Sequence, residues 1–121
     1  MTRARLVQKD LPDDLYEAFR QHSVLGIDCE MMGLNPWRDR LCLIQIAAED
    51  GPCALVQVDE SQPPARVKEL FENQSIEKIF HFARLDCLFL RMRLDIQIRN
   101  VFCTKIASRL GRTYTDRHGL K

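Results

Sequence analysis

The feature that most constrains the fold is the apolar segment 24–30, which carries two acids two positions apart. Its sequence, Val-Leu-Gly-Ile-Asp-Cys-Glu, is a short apolar run with β-branched residues and predicts a buried strand. Successive side chains of a strand point to opposite faces, so Asp28 and Glu30 share one face, with Cα atoms roughly 7 Å apart. Two carboxylates held on a rigid element can bind hard divalent cations. The alternative is a half-exposed strand whose polar face carries acids without any function.

The length allows one domain with one core, and the whole chain, 1–121, is predicted to be that domain. The hydrophobic fraction of 45% and the charged fraction of 29% are typical of a soluble globular protein. No apolar run approaches the roughly 20 residues needed to cross a bilayer, and the N-terminus lacks the apolar region of a signal peptide. We therefore expect no membrane association.

The five cysteines are scattered along the chain and form no C-x-x-C pair. Such thiols are typical of a reducing compartment, where they pack as small hydrophobic side chains rather than form disulfides or zinc sites. The predicted location is therefore the cytoplasm.

The net charge of +1 conceals an asymmetry along the chain. Residues 1–80 contain 9 Lys/Arg and 14 Asp/Glu, whereas residues 81–121 contain 9 and 3. A basic C-terminal third beside an acidic cluster suits a metal site that faces a polyanion. A basic helix face exposed to solvent would give the same count, and both interpretations stand at this point.

The pattern of apolar residues predicts an α/β architecture with a mixed sheet. A short helix follows Leu11-Pro12, and strands over about 24–30, 41–47 and 53–58 form an antiparallel meander. The second of these strands is nearly all apolar and is expected to be buried on both faces. Helices and strands then alternate: a helix opened by Pro63-Pro64, a strand over 76–82, a helix over about 84–92, a strand over 98–102 and a helix over about 103–110.

A third acid, Asp86, lies in the first turn of the predicted helix 84–92, near the carboxyl end of the preceding strand. Ligand sites in α/β sheets favour this place. An acid at a helix N-terminus is also stabilised by the helix dipole and needs no further function. The presence of Asp28 and Glu30 elsewhere in the chain favours the functional interpretation.

Four segments together resemble the ribonuclease D-like branch of the DEDD 3′–5′ exonucleases. They are Gly-Ile-Asp-Cys-Glu (26–30), Leu-Cys-Leu-Ile-Gln-Ile-Ala (41–47), His-Phe-Ala-Arg-Leu-Asp (81–86) and Val-Phe-Cys-Thr-Lys-Ile-Ala-Ser (101–108), in the family's order and approximate spacing. The resemblance covers nearly everything from Val24 to Lys121. It implies an RNase H-like fold, in which helices flank a mixed sheet made of an antiparallel meander and parallel strands. It also implies hydrolysis of a nucleic acid, RNA more than DNA, to nucleoside monophosphates from the 3′ end of a single strand.

By the same resemblance, Asp28, Glu30 and Asp86 are the catalytic acids and bind two divalent cations, Mg²⁺ or Mn²⁺. In such sites one ion activates the attacking water and the other stabilises the leaving 3′-oxygen. The candidate substrate-binding residues are Met31, Met32, His81, Arg84 and Lys105. Core or loop packing is the alternative for the methionines, a structural hydrogen bond for His81 and plain solvation for the two cations.

Further candidates are weaker. Trp37 could stack on a base, although a lone loop tryptophan more often packs on its own domain. Arg40 is one of several additional basic residues that could contact phosphates.

The chain also departs from the family pattern. Phe82 stands where the second motif usually has Asn, and Cys103 stands where the Val-Phe-Asp-Thr block has Asp. The last motif, Tyr-x-x-x-Asp, supplies a fourth acid, but Tyr114 is followed four positions later by His118. The sequence therefore predicts a partial exonuclease domain, incomplete at its C-terminus, with little activity alone. An apolar sheet face is then expected to be open to a second copy or another partner. The alternative is a non-catalytic nucleic-acid-binding or assembly module that keeps the fold.

Overall fold

The computed structural model describes residues 4–104, which form six strands and three helices. In chain order these are β1 (Ala4–Gln8), α1 (Asp13–Arg20), β2 (Val24–Met31), β3 (Leu41–Ala47), β4 (Cys53–Gln57), α2 (Ala65–Glu72), β5 (Glu77–Phe80), α3 (Ala83–Leu94) and β6 (Val101–Cys103). The strands predicted at 24–30, 41–47 and 53–58 agree with β2, β3 and β4 to within one residue. The strand predicted at 76–82 is shorter, because Ile76 still belongs to the turn before β5 and the pairing of β5 with β6 ends at Phe80. The helix predicted at about 103–110 and the segment around Tyr114 lie almost entirely outside the described residues.

The six strands form one mixed sheet in the order β1-β4-β3-β2-β5-β6. Strand β3 pairs antiparallel with both β2 and β4, which confirms the predicted meander. The pairs β1–β4, β2–β5 and β5–β6 are parallel. All strands except β3 therefore run in one direction, and their carboxyl ends meet at one edge of the sheet. This edge is where ligand sites of α/β sheets are found.

Strand β1 was not predicted. It pairs with β4 in a parallel register that runs from Ala4 opposite Cys53 to Gln8 opposite Gln57. It is an edge strand whose side chains are largely exposed, and Leu6 has 59% of its surface accessible. A short exposed edge strand shows little hydrophobic alternation, so its presence depends on a partner strand far along the chain.

All three helices pack on one face of the sheet. Their largest buried side chains are Phe19 of α1, Phe71 of α2 and Phe89 of α3, each 0% exposed. They share one core with strand residues such as Leu25 and Ile44. The opposite face, which we call the open face, carries Asp28, Glu30, Leu43, Gln45 and Leu55.

Burial of β3 on both faces was a wrong prediction. Ile44 and Ile46 are buried under the helices, whereas Leu43 is half-buried and Gln45 is exposed on the open face. The reason is that no described helix, within residues 4–104, packs on that side of the sheet. The apolar composition of β3 therefore reflects a strand in the middle of the sheet rather than a strand covered on both sides.

The described helices have simple sequence determinants. Helix α1 starts with Asp13 and Asp14 after Pro12 and buries Leu15 and Phe19. Helix α3 ends at Leu94, where Asp95 adopts the left-handed conformation with φ of 56°. Across the described part of the chain, every helix is too short or too polar to pass through a membrane.

Candidate active site

Strand β2 presents both of its acids on the open face, at the carboxyl end of the strand. Asp28 and Glu30 are exposed, whereas Cys29 between them is 7% exposed and packs into the core. Cross-strand pairing places Asp28 beside Gln45 and Glu30 beside Leu43. The Oδ1 atom of Asp28 also accepts a 3.0 Å hydrogen bond from the backbone N–H of Cys29, which restrains the carboxylate. Both acids thus share the face on which the sequence places them.

The β2–β3 ladder changes register directly after Glu30, so that Met31 pairs with Leu41. Irregularities of this kind re-aim side chains and are common beside active sites. Met31 is half-buried and packs against the core, whereas Met32 is 68% exposed. The backbone N–H of Met32 donates a 2.9 Å hydrogen bond to the carbonyl oxygen of Arg40. Met32 is therefore exposed to solvent beside the acids, whereas Met31 is partly covered by the core.

Helix α3 carries Asp86 to the same region. Its side chain is only 8% exposed, and burial together with the negative charge of Asp28 raises its pKa to about 7. Glu30 adds to this effect, whereas the backbone N–H of Cys29 acts in the opposite direction. Burial is the main cause of the raised pKa, and the additional effect of Asp28 and Glu30 shows that Asp86 of α3 lies within electrostatic reach of both acids of β2.

A hydrogen-bond network fixes the connection between β5 and α3. The hydroxyl of Thr104 donates to the carbonyl oxygen of Phe80 over 3.3 Å, so it accepts from Nδ1 of His81 at 2.9 Å. The thiol of Cys103 donates to the carbonyl oxygen of His81 and accepts from the backbone N–H of Ala83. In the described structure His81 thus makes the structural hydrogen bond considered from sequence. Thr104 was not singled out as a supporting residue, although it belongs to the 101–108 segment.

A pocket of about 260 Å³ opens on the open face beside Asp28. Its walls include Gly26, Gln45, Ala47, Ile79 and His81. The lining combines apolar side chains with a few polar groups, which is the usual composition of a ligand pocket. The side chain of His81 therefore lies between the network that supports α3 and a pocket at the acids.

The remaining candidates are scattered around these acids. Arg84 is exposed on the first turn of α3, two residues before Asp86. Trp37 is 79% exposed on the loop between β2 and β3, so most of its side chain is free of packing against residues 4–104. Lys105 lies outside the described residues.

The carboxylates of Asp28, Glu30 and Asp86 are chemically suited to bind a divalent cation. Carboxylate oxygens are the ligands that Mg²⁺ and Mn²⁺ prefer, and a bound cation would relieve the repulsion that raises the pKa of Asp86. Nowhere in residues 4–104 do three or more His, Cys, Asp or Glu side chains already form a coordination sphere. Asp28, Glu30 and Asp86 are the residues that would hold the ion.

A family model described as 3′-5′ exonuclease matches residues 5–121 of the chain. The chain belongs to this 3′–5′ exonuclease family. The match extends over both acid-bearing elements, β2 and α3, and over the segment that follows β6.

Solved structures of exonucleases share the fold. Brucella melitensis NrnC with bound Mg²⁺ is 45% identical to this chain over 100% of its length, with a TM-score of 0.91. NrnC bound to pGG gives 43% identity and the same TM-score. The exonuclease domain of EXD2 soaked in Mn and GMP is 21% identical over 98% of the chain, with a TM-score of 0.71, and shows the fold alone. These matches confirm the expected RNase H-like exonuclease architecture.

The lengths of these proteins differ. The chain spans 59% of NrnC in the Mg²⁺ structure and 58% in the pGG structure. It spans 64% of the EXD2 exonuclease domain. No protein with a curated description matches the chain.

Proposed function

We propose that this exonuclease-family chain contributes the catalytic acids of a metal-dependent 3′–5′ exonuclease. The substrate is the 3′ end of a single-stranded nucleic acid, RNA more than DNA, and the products are nucleoside monophosphates. The observation that supports this most is the placement of the acids: Asp28 and Glu30 share one face of β2, and Asp86 is buried on the first turn of α3, where the backbone N–H of Cys29 between those two acids interacts with it. Three carboxylates from two rigid elements are the arrangement that metal-assisted phosphodiester hydrolysis needs.

Mg²⁺ or Mn²⁺ is the proposed cofactor. Brucella melitensis NrnC, at 45% identity, has been solved with bound Mg²⁺. Asp28, Glu30 and Asp86 would hold the ions, and the ions would supply Lewis-acid activation of water and stabilisation of the leaving oxygen. The thiol of Cys103 accepts from the N–H of Ala83 and donates to the carbonyl oxygen of His81, and so ties the start of α3, and with it Asp86, to the end of β6.

The nucleic-acid substrate is proposed from the relatives and from the exposed groups around the acids. NrnC has been solved bound to pGG. Met32 is exposed next to the acids, and Arg84 places a positive charge on the first turn of α3. We propose that Met32, His81, Arg84 and Lys105 contact the terminal nucleotide and its phosphate, and that Met31 supports Met32 from the core. The preference for RNA follows from the ribonuclease D-like segments.

A reducing compartment, the cytoplasm, is the proposed location. None of the five cysteines, all of which lie within residues 4–104, forms a disulfide, and Cys29 is buried as a core side chain. Such thiols need no oxidising environment. We propose RNA processing as the cellular role of the protein.

The test is degradation of 5′-labelled single-stranded RNA and DNA of equal sequence, with protein in excess and Mg²⁺ or Mn²⁺ present. We expect a ladder that shortens from the 3′ end and is lost in EDTA and in Asp28→Asn. Asp50→Asn is the matched control because Asp50 is an exposed acid with φ of 53°, a conformation that Asn tolerates. A parallel titration follows Mn²⁺ by electron paramagnetic resonance, and binding should weaken in Asp28→Asn and Asp86→Asn.

Two results would count against the exonuclease. Equal shortening in Asp28→Asn and wild type would place the chemistry elsewhere. Folded protein that binds RNA but leaves it intact with either metal would favour the non-catalytic nucleic-acid-binding or assembly module.

A further inference from the structure

We propose that a second pocket at the same edge of the sheet binds a backbone phosphate of the substrate strand, on the 5′ side of the terminal nucleotide. This inference rests on the proposed exonuclease function. The pocket has a volume of about 380 Å³, and we call it the Lys9–Arg40 pocket. Its walls are Gln8, Lys9, Arg40, Gln57 and the segment 58–61.

The pocket lies in the same cross-strand row as one of the catalytic acids. Glu30 pairs with Leu43, and Leu43 pairs in turn with Gln57. Gln57 pairs with Gln8 of β1. Paired residues share a face, so Glu30, Gln57 and Gln8 all belong to the open face. Glu30 and Gln57 are two strand spacings apart, or about 10 Å. A single-stranded nucleic acid whose 3′-terminal nucleotide lies at the acids can therefore place a preceding nucleotide at the pocket.

The two cationic residues are fixed to this edge by backbone hydrogen bonds. The carbonyl oxygen of Arg40 accepts from the N–H of Met32 at 2.9 Å, next to the acids. The N–H of Lys9 donates over 2.9 Å to the carbonyl oxygen of Gln57. Lys9 also has φ of 70°, a conformation that is uncommon for a residue with a side chain. In the strand order β1-β4-β3-β2, Arg40 directly precedes β3 and lies on the side of the pocket nearer the acids, whereas Lys9 directly follows β1 and lies on the far side.

The acids in the pocket wall are already engaged. Glu60 accepts hydrogen bonds from Nε and Nη2 of Arg93, at 2.9 and 2.6 Å, and from the N–H of Leu41 at 3.0 Å. Asp59 accepts from the hydroxyl and the N–H of Ser61. These bonds lower the pKa of both carboxyl groups. Lys9 also lowers the pKa of Asp59, and Arg40 that of Glu60, but each is the smallest contribution, so the main partners of both acids are other groups of the protein.

Lys9 and Arg40 are exposed, and none of the ion pairs within residues 4–104 involves either of them. The amide of Gln8 donates to Oε1 of Gln57 at 2.7 Å, so that Gln57 can still donate through its own amide. Lysine, arginine and amide donors around a polar pocket are the groups that bind nucleic-acid phosphates. The ligand is therefore a phosphodiester group of the same nucleic-acid strand whose 3′ end lies at the acids.

The experiment compares binding of a single-stranded RNA hexanucleotide and a dinucleotide, in EDTA so that neither is degraded. Lys9→Gln/Arg40→Gln keeps side-chain length and removes both charges, whereas Lys9→Arg/Arg40→Lys keeps the charges. Lys68→Gln is the matched control, because Lys68 lies on α2, on the face opposite the pocket. Circular dichroism verifies that each variant is folded.

We expect the doubly neutral variant to bind the hexanucleotide about tenfold more weakly, and the slope of log K against log salt to become shallower by roughly 1.4 for two lost contacts. The dinucleotide should bind as before, and the charge-keeping variant and Lys68→Gln should bind both ligands like wild type. The proposed phosphate site would be wrong if the doubly neutral variant lost equal affinity for the hexanucleotide and the dinucleotide. It would also be wrong if the salt slope did not change, or if Lys68→Gln weakened binding equally. If the wild-type protein bound the hexanucleotide as expected but left RNA intact in Mn²⁺, only the proposed exonuclease activity would be contradicted. Failure of the phosphate site and failure of the proposed function are therefore distinguishable.

Discussion

The carboxylate of Asp39 lies directly against Gly33, where any other residue would carry its Cβ. The same carboxylate accepts a 3.0 Å hydrogen bond from the N–H of Asn35 and another from Nε of Arg38. It is 13% exposed and so is shielded from water on most sides. The contact braces the loop that follows the acids and presents Trp37 to solvent.

Gly33→Ala should therefore destabilise the protein by about 1–3 kcal/mol, since the added methyl group displaces the Asp39 carboxylate from its partners. Gly26→Ala is the matched control, because its Cβ would meet only the carbonyl oxygen of Ala47 at 3.8 Å. Urea denaturation of both variants measures the difference in the free energy of unfolding. An equal effect of the two substitutions would show that the carboxylate does not brace the loop.

The raised pKa of Asp86 makes a second prediction, for metal-free protein. The pKa of Asp86 is about 7 in the folded protein, whereas its ordinary value is 3.8. Between these pH values the folded protein therefore binds more protons than the unfolded chain. The free energy of unfolding in EDTA should therefore fall as the pH rises from 4 to 7, by at most a few kcal/mol. Asp86→Asn should flatten this dependence, whereas Asp50→Asn should retain it. A slope that persists unchanged in Asp86→Asn would assign the effect to another group.

Much of the site could be predicted because its determinants are local. The alternation in β2 places Asp28 and Glu30 on one face, whatever the rest of the chain does. The first turn of α3 likewise follows from the sequence around Asp86. Only the prediction that β2 and α3 lie together in space depended on the resemblance to a family.

The features that sequence analysis missed depend on distant partners. Strand β1 exists because β4 offers it a parallel edge, and its exposed side chains give no pattern of their own. The exposure of one face of β3 was missed because an apolar strand has the same composition whether one face or two are covered. Lys9 could not be recognised as part of a pocket without the pairing of β1.

The N-terminus of α2 shows the same dependence and gives a third prediction. Its own N-cap residue, Pro64, provides no side-chain hydrogen bond. Instead Asp10 accepts from the N–H groups of Arg66 and Val67, at 3.0 and 3.2 Å, and from that of Leu11 at 2.8 Å. Asp10→Ala should cost about 1–2 kcal/mol, the usual effect of removing a cap.

Asp10→Asn should cost less than Asp10→Ala, because the amide oxygen still accepts hydrogen bonds. Thermal or urea unfolding of the two variants provides the comparison. Equal stability of Asp10→Ala and wild type would mean that water replaces the cap without loss.

The last prediction concerns Lys78, whose side chain is 0% exposed although it bears an amine. Its Nζ atom donates to the carbonyl oxygens of Asn73 and Arg99, at 2.5 and 2.9 Å, and so joins the end of α2 to the segment before β6. Burial lowers the pKa of Lys78 from 10.5 to about 8. The unfolded chain therefore binds more protons than the folded chain between pH 8 and 10.5, and the contribution of this residue to stability rises with pH across that range.

Lys78→Met should remove this contribution, so the free energy of unfolding of the variant should rise less, or fall more, with pH than that of wild type. Burial raises the pKa values of the buried thiol Cys29 and the half-buried thiol Cys87, which oppose the rise, but these thiols act equally in both proteins. Lys68→Met is the control, because Lys68 is a partly exposed lysine on α2 and should leave the wild-type slope unchanged. Urea denaturation at pH 8, 9 and 10 supplies the slopes, and identical slopes for Lys78→Met and wild type would show that the buried amine does not titrate in this range.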